Sequence, residues 1–171
     1  FILDSNNFGE SGRILKILTK ELGIVTVVAT GVRELHSKMR GNLGILQIVD
    51  FEYVEGHEMN RLIGIHEKEK FDSILTGESV IEKRRAVSNV SNFILRTVVG
   101  ETANEKLWDS FLAGVQLLSS NHPLPLLQKE GNIGKVEILW LISILISLGY
   151  WESGKLEGFT EANFKELEDV S

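Results

Sequence analysis

The chain has 171 residues, of which 43% are hydrophobic and 25% are charged, as in an average soluble protein. Its formal net charge of −6 excludes a uniformly basic nucleic-acid-binding protein, although it allows a local basic patch. The absence of cysteine excludes disulfide scaffolds, thiolate zinc sites and thiol catalysis. It also suits a reducing compartment, so we expect a cytoplasmic protein.

Residues 1–75 have the pattern of a small β-barrel. Segments that are rich in β-branched residues and bounded by glycines predict strands at residues 24–30, 44–54 and 62–66. Residues 13–22 are ambiguous, because their apolar side chains fit both the spacing of a helix and the alternation of a strand. Several short strands joined by tight turns are typical of a barrel.

The middle of the chain is predicted to be helical. Apolar residues recur at every third or fourth position in residues 78–99 and 104–118, and Asn104 is placed to cap the second of these helices. A third helix, residues 135–148, is apolar nearly all round, which predicts a central position in the domain. Gly149 fits the position that follows the end of this helix.

Residues 151–171 form an acidic tail with six acidic residues and two lysines. The predicted organisation is therefore a barrel in residues 1–75, a helical domain in residues 76–150 and this tail. The longest uncharged apolar run, residues 138–148, is shorter than the roughly 20 residues that a membrane span requires. We therefore expect no membrane association.

No arrangement of side chains predicts an enzyme. His57 with Glu58, and His66 with Glu67, lack the spacing of a zinc-binding helix, so we expect no metal site. Residues 131–135 hint at a phosphate-binding loop, but they lack its first glycine, and a valine follows where the loop needs a hydroxyl residue. No catalytic triad or paired carboxylates can be assigned from the spacing. We therefore expect no catalytic residues and no cofactor.

A basic island stands out against this acidic background. Residues 13–40 have a net charge of +4, and the rest of the chain has −10. A basic track on a small barrel is a typical site for the phosphate backbone of a single strand, and a solvated surface without function is the alternative. The nearby Phe8, Phe51 and Tyr53 are more typical of a core than of a base-stacking platform. The six cations of the island are Arg13, Lys16, Lys20, Arg33, Lys38 and Arg40.

Ordered motifs in the chain resemble the RecO family of recombination mediators. Asn-Phe-Gly-Glu-Ser-Gly-Arg-Ile-Leu at residues 7–15, followed by Leu-Thr-Lys-Glu-Leu-Gly at residues 18–23, is similar to the opening of that family. Ala-Thr-Gly-Val-Arg at residues 29–33 and Ser-Lys-Met-Arg-Gly-Asn-Leu at residues 37–43 are similar to its next stretch. Weaker landmarks of the family's helical domain lie at residues 104–109 and 148–150.

The chain departs from the family pattern at three places. Gly12 stands where the family usually has aspartate, and Leu46 or Gln47 stands near its usual proline–phenylalanine pair. Most members carry a four-cysteine zinc ribbon soon after the helical landmark, whereas this chain has no cysteine and has the acidic tail in that place.

The resemblance implies an α+β fold, with an N-terminal five-stranded OB-fold barrel followed by an α-helical domain. It also assigns residues 13–22 to a barrel strand, whereas their periodicity alone favours a helix. It implies a protein, not an enzyme, that binds single- and double-stranded DNA and anneals complementary strands. Such a protein helps to load the RecA recombinase onto DNA coated by single-strand-binding protein, and it works with RecR.

The resemblance also suggests where the partners bind. The three later cations of the basic island are predicted to contact phosphates from the loop after residue 30, and the three earlier ones to extend this track along the barrel. For Arg33, a structural ion pair is the alternative. In the helical domain, the family binds the acidic, phenylalanine-ending tail of single-strand-binding protein. The helix from Lys135 and the basic run at residues 83–85 carry the kinds of group that such a site needs.

Two other function classes compete with this hypothesis. An acidic protein-interaction module with an OB fold would not bind DNA itself. A nucleic-acid-processing enzyme with an OB domain would need catalytic residues, which the sequence does not offer.

Overall fold

A computed structural model describes residues 1–32, 43–70, 79–98, 100, 103–119 and 132–150. Five strands are followed by three helices, in the predicted order. The strands are β1 (Ile2–Phe8), β2 (Gly12–Thr19), β3 (Gly23–Ala29), β4 (Gln47–Val54) and β5 (Asn60–Lys70). The helices are α1 (Val80–Thr97), α2 (Glu105–Ser119) and α3 (Asn132–Ser147).

The strands form one sheet in the order β1-β2-β3-β5-β4, which is the strand order of an OB fold. Strands β1 to β3 are an antiparallel meander, β3 pairs with β5 in parallel, and β4 and β5 form an antiparallel hairpin. The ambiguous segment at residues 13–22 is therefore strand β2 and the turn that follows it, as the resemblance implied. Of its two possible periodicities, the two-residue alternation is the one that agrees with the burial of its side chains.

The sheet is not closed into a complete barrel, which corrects the expectation of a closed one. Among the described residues, β1 and β4 do not pair as strands. The backbone N–H of Leu46, just before β4, donates to Ile2 O at 3.0 Å and brings the two edges together at one point. Leu46 has a φ of 64°, which is unusual for a leucine, while its side chain is buried.

Alternation along the strands produces an apolar cluster on each side of the sheet. Leu15, Ile17, Val25 and Val27 belong to a cluster formed within the sheet, which we call the sheet cluster. Leu18 and Ile24, from the other side, join Phe1, Leu3 and Leu46 in a second cluster with the three helices, which we call the shared cluster.

The shared cluster fixes the helices on the sheet. Helix α1 buries Ala86, Val87, Val90 and Ile94 in it. The ring of Phe111, on α2, meets the ring of Phe1 edge-on with centroids 4.8 Å apart, and it lies 5.3 Å from Trp140 of α3. The sheet and the helices therefore have one core in common. The predicted division between residues 1–75 and 76–150 remains a prediction.

Both predicted helix ends are formed by the expected residues. Asn104 Oδ1 accepts the N–H of Leu107 at 2.9 Å, so Asn104 caps α2. Gly149 has a φ of 79°, and its N–H donates to Ile146 O while the N–H of Tyr150 donates to Leu145 O. This pair of bonds is a Schellman motif at the end of α3.

The third helix is central among the described helices, as predicted, because it packs against both of the others, but it is not buried all round. Helix α3 buries Val136, Trp140 and Ile144, but Ile138 is 58% exposed and Leu139 is 38% exposed. The described helices α1 and α2 pack against α3 and cover only one side of it. A helix with apolar residues on all sides can be buried on all sides. Tertiary packing decides how much of its surface is in fact buried.

Candidate nucleic-acid interface

Arg13 lies near the start of β2, on the side of the sheet that carries Leu15 and Ile17. Its guanidinium donates to Ser5 Oγ of β1 and to Leu43 O, each at 3.3 Å. The Ser5 hydroxyl also donates to Leu43 O, at 2.8 Å, and Leu43 is buried. Arg13 therefore ties the chain just before β4 to the first two strands, which is a structural role that charge counting did not reveal.

Lys16 lies on the opposite face of β2 from Arg13, because the two are three residues apart in a strand. It is half-buried, and its cross-strand partners are Asp4 on β1 and Thr26 on β3. Directly opposed residues of neighbouring strands lie about 5 Å apart at Cβ, so the Asp4 carboxylate offsets part of the positive potential of Lys16.

Lys20 is exposed in the turn between β2 and β3, next to the exposed Glu21. The turn is held by Thr19, whose hydroxyl donates to Gly23 O at 3.0 Å and accepts the N–H of Leu22 at 3.0 Å. The three earlier cations of the island therefore do not form one row on one face. Arg33, Lys38 and Arg40, the three later ones, lie outside the described residues.

Gly12, which departs from the family pattern, is explained by its surroundings. A Cβ at this position would lie 2.8 Å from Phe8 O and 3.1 Å from Ala29 O, both of them backbone atoms. Gly9, in the turn before it, has a φ of 59°. This close approach of three strands excludes a side chain at residue 12 in this chain.

Two of the three candidate aromatic residues pack on the sheet. The rings of Phe51 and Tyr53 stack with centroids 5.8 Å apart and an interplanar angle of 18°, and both pack against the sheet cluster. Phe8, at the end of β1, is 40% exposed. Of these three, Phe8 is the ring that is available to a ligand at the β1–β2 turn.

The β4–β5 hairpin carries an acidic, partly apolar surface that the sequence did not single out. Glu52, Glu55 and Glu58 are exposed along it. The hairpin also forms a cleft of about 610 Å³ against the end of β3. The cleft is lined by Thr30, Val54, Glu55, Gly56, Met59, Arg61, Leu62 and Ile63.

The cleft combines exposed apolar side chains with one cation. Val54, Met59 and Ile63 are each about half exposed. Arg61 is exposed, and its guanidinium reaches Thr30 Oγ1 at 3.5 Å. The acidic hairpin disfavours a phosphate backbone here, and the apolar walls favour a protein ligand.

Of the remaining sequence candidates, the two histidines lie on this same hairpin and the possible phosphate loop lies in the helices. His57 is in the β4–β5 turn and His66 is on β5, and the described residues contain no group of three metal-ligating side chains. Residues 132–135 are the start of α3. None of the helices in the described part of the chain is long and apolar enough to cross a membrane.

Known proteins resemble this chain in the same region. Residues 1–69 match the family model described as "Recombination protein O N terminal". A protein of Rubrobacter xylanophilus named "DNA repair protein RecO" is 21% identical over 160 residues, which are 94% of this chain and 59% of that protein. A protein of the same name from Acaryochloris marina is 28% identical over 109 residues, which are 64% of this chain and 36% of that protein.

A third relative of the same name, from Cutibacterium acnes, is 32% identical over 59 residues, which cover 34% of this chain and 24% of the relative. The chain thus matches between a quarter and three fifths of the length of these relatives. The matched family model covers the five described strands almost completely.

Proposed function

Because the chain belongs to the RecO family, we propose that it is a DNA-binding recombination mediator in DNA repair. In this role it binds single- and double-stranded DNA, anneals complementary strands and helps to load recombinase onto DNA coated by single-strand-binding protein. The observation that carries the proposal is the family match over residues 1–69, which fold here as five strands in the OB order.

The proposed DNA site is the basic island of residues 13–40. Annealing brings two strands together without reading their sequence, so contacts to phosphates suffice and base-edge donors are unnecessary. Lys16 and Lys20 contribute positive charge from β2 and its turn. Their contribution is the smaller part, because Asp4 lies close to Lys16 and Glu21 lies close to Lys20. The larger part comes from Arg33, Lys38 and Arg40.

Arg13 has a second task in this proposal. By holding Leu43 O, it anchors the end of the segment that carries the three later cations. At the other end of that segment, Gly31 has a φ of 68° and turns the chain away from β3. Arg13 is therefore a positioning residue for the track, besides any contact that its own charge makes.

Fluorescence anisotropy with labelled single-stranded DNA at several salt concentrations tests this proposal. Six phosphate contacts at most predict a log–log salt slope no steeper than about −4, at roughly −0.7 per contact. We expect Arg33→Glu, Lys38→Glu and Arg40→Glu together to remove most of the binding without unfolding the sheet.

A matched control places the same change of charge elsewhere, with Arg61→Glu, Lys68→Glu and Lys106→Glu. All three side chains are exposed, and the ion pair of Lys68 with Asp50 is open to solvent and contributes little. Normal binding by the first triple variant, or equal loss in both, would place the DNA site elsewhere.

A protein-interaction module that does not bind DNA is the second candidate function. The acidic hairpin with its cleft favours it, because an apolar cleft with a negative rim suits a basic protein segment. No DNA binding at low salt by the intact chain would favour this function over the mediator.

The proposed protein partners are RecR and single-strand-binding protein, with RecA reached indirectly. In the helices, α3 exposes Ile138 and Leu139, which are apolar groups of the kind that the tail of single-strand-binding protein needs. Titration of a labelled acidic peptide that ends in phenylalanine, with Ile138→Ser as the variant, tests this contact. Unchanged peptide affinity in that variant would exclude this face.

A further inference from the structure

Helix α1 is strongly basic in an acidic chain. It holds Lys83, Arg84, Arg85 and Arg96 against a single acid, Glu82, which gives it a net charge of +3. The whole chain has −6. None of these residues belongs to the basic island of residues 13–40, so this positive charge has no place in the proposed DNA track.

Arg85 and Arg96 point away from the buried face of α1, whereas Arg84 lies at its edge, in the same row as Ser91. Ala86, Val87, Val90, Ser91 and Ile94 are buried, whereas Arg84, Arg85 and Arg96 are exposed. At 100° per residue, the eleven steps from Arg85 to Arg96 return to within about 20° of the same direction and rise about 16 Å along the axis. Arg85 and Arg96 thus begin and end a basic stripe on one helix face.

The surface between these two arginines is polar. Ser88 is half-buried, and Asn89 and Asn92 are exposed. Asn89 Nδ2 donates to Glu137 Oε1 of α3 at 2.8 Å, so this carboxylate is bound to an amide of the α1 surface. Glu82, the single acid of α1, lies three residues before Arg85, one turn toward the N-terminus.

Helix stability does not account for this placement. Cations near the N-terminal end of a helix oppose its dipole, and only Arg96, in the last turn, complements it. Arg85 and Arg96 make no ion pair with any described residue. The two arginines that begin and end the stripe are therefore exposed cations whose placement the helix itself does not explain.

We propose that this stripe on α1 binds the phosphodiester backbone of a second DNA strand. The inference rests on the proposed function, in which the barrel track holds the first strand. A span of about 16 Å corresponds to roughly five nucleotides at a rise of 3.4 Å per step. The stripe lies on the opposite side of α1 from the residues that pack on the sheet. The second DNA strand is therefore held away from the contact between α1 and the sheet.

A phosphate backbone suits the stripe better than an acidic peptide does. A peptide that ends in an apolar residue needs an apolar slot beside the cation, and the surface between Arg85 and Arg96 offers serine and asparagine side chains instead. Repeated anions at regular spacing match cations along a helix, and the exposed Asn92 can donate to a phosphate oxygen. Annealing then has a simple basis, since one molecule presents two strands to each other.

A ternary-binding experiment tests the proposal. The intact chain is saturated with one dye-labelled 30-nucleotide strand, and a second, non-complementary strand with a different dye is titrated while energy transfer is followed. We expect Arg85→Glu with Arg96→Glu to keep first-strand affinity within about twofold and to weaken second-strand binding about tenfold. The salt slope of the second step should become shallower by about 1.4, for two lost contacts.

Two further variants separate charge from fold. Arg85→Gln with Arg96→Gln removes the charge without reversing it, and it should weaken the second step to a smaller extent. Lys68→Glu with Lys106→Glu changes the net charge by the same amount at exposed positions outside α1 and should leave the second step unchanged. Circular dichroism confirms that each variant is folded before binding is measured.

The outcomes are distinct. Equal second-strand binding in the α1 variant and the Lys68/Lys106 control would overturn the stripe while leaving the barrel site intact. Loss of an acidic phenylalanine-ending peptide by the α1 variant, with both DNA steps retained, would make the stripe a protein site and also overturn it. Failure of the intact chain to bind even the first strand at low salt would overturn the proposed function and this inference together.

Discussion

Gly114 shows how closely single residues control the packing of the helices. It is buried in α2, and a Cβ at this position would overlap the indole of Trp140 on α3. The indole N–H donates to Ser110 O at 3.0 Å, so the ring is held in place and cannot retreat freely. The absence of one methyl group therefore sets the distance between two helices.

We expect Gly114→Ala to lower the free energy of unfolding by about 1–3 kcal/mol, despite the better helix propensity of alanine. Gly134→Ala is the control, because a Cβ at Gly134 in α3 meets nothing within 4 Å and should stabilise the helix by up to about 1 kcal/mol. Urea denaturation of both variants measures the difference. Equal stability of the two would show that the helices can move apart at no cost.

Arg13 is the second residue whose role depends on its contacts. Arg13→Gln should lower the free energy of unfolding by about 1 kcal/mol, because Leu43 O and Ser5 Oγ lose a donor. Lys20→Gln is matched in charge but exposed, so its unfolding should match that of the parent chain. If both variants unfold alike in urea, Arg13 contributes charge alone.

At the scale of elements, the cap of α2 joins two helices. Asn104 accepts the N–H of Leu107 and also donates from Nδ2 to Ser147 O, at the end of α3, at 3.2 Å. Asn104→Ala loses both bonds and should cost about 1 kcal/mol of stability. Asn104→Asp keeps the acceptor and should cost less, because a carboxylate also suits a helix N-terminus. Thermal unfolding followed by circular dichroism compares them, and an alanine variant as stable as the parent would contradict the cap.

For the whole molecule, the shared cluster predicts cooperative unfolding. Phe111 contacts Phe1 at the sheet and Trp140 in the helices. Trp108 and Trp140 lie in α2 and α3, so their fluorescence reports the helical part, and amide exchange in β2 and β3 reports the sheet. Both probes should give the same transition in urea. Phe111→Ala should lower the free energy of unfolding that each probe reports by about 3–5 kcal/mol. Sheet amides that stay protected after the fluorescence changes would show two independent domains.

The distribution of charge is a second property of the whole molecule. Two concentrations of positive charge in the described chain lie on β2, with its turn, and on α1, whereas the β4–β5 hairpin is acidic. A net charge of −6 therefore hides local concentrations of positive charge. In the proposed function, each of them contributes to holding one of two strands.

Short-range patterns in the sequence determined the order of strands and helices, the cap at Asn104 and the turn at Gly149. Capping and periodicity involve neighbours a few residues apart, so the chain carries them without its fold. The strand character of residues 13–22 needed the family resemblance, because its periodicity is ambiguous.

Only the tertiary structure decided the open edge between β1 and β4, the exposure of Ile138 on α3 and the role of Arg13. Arg13 and its partner Leu43 are 30 residues apart, and their contact depends on how the sheet brings β1, β2 and the start of β4 together. The exposed stripe on α1 likewise depends on which face of the helix the shared cluster covers. These features rest on long-range packing, and no local pattern in the chain encodes them.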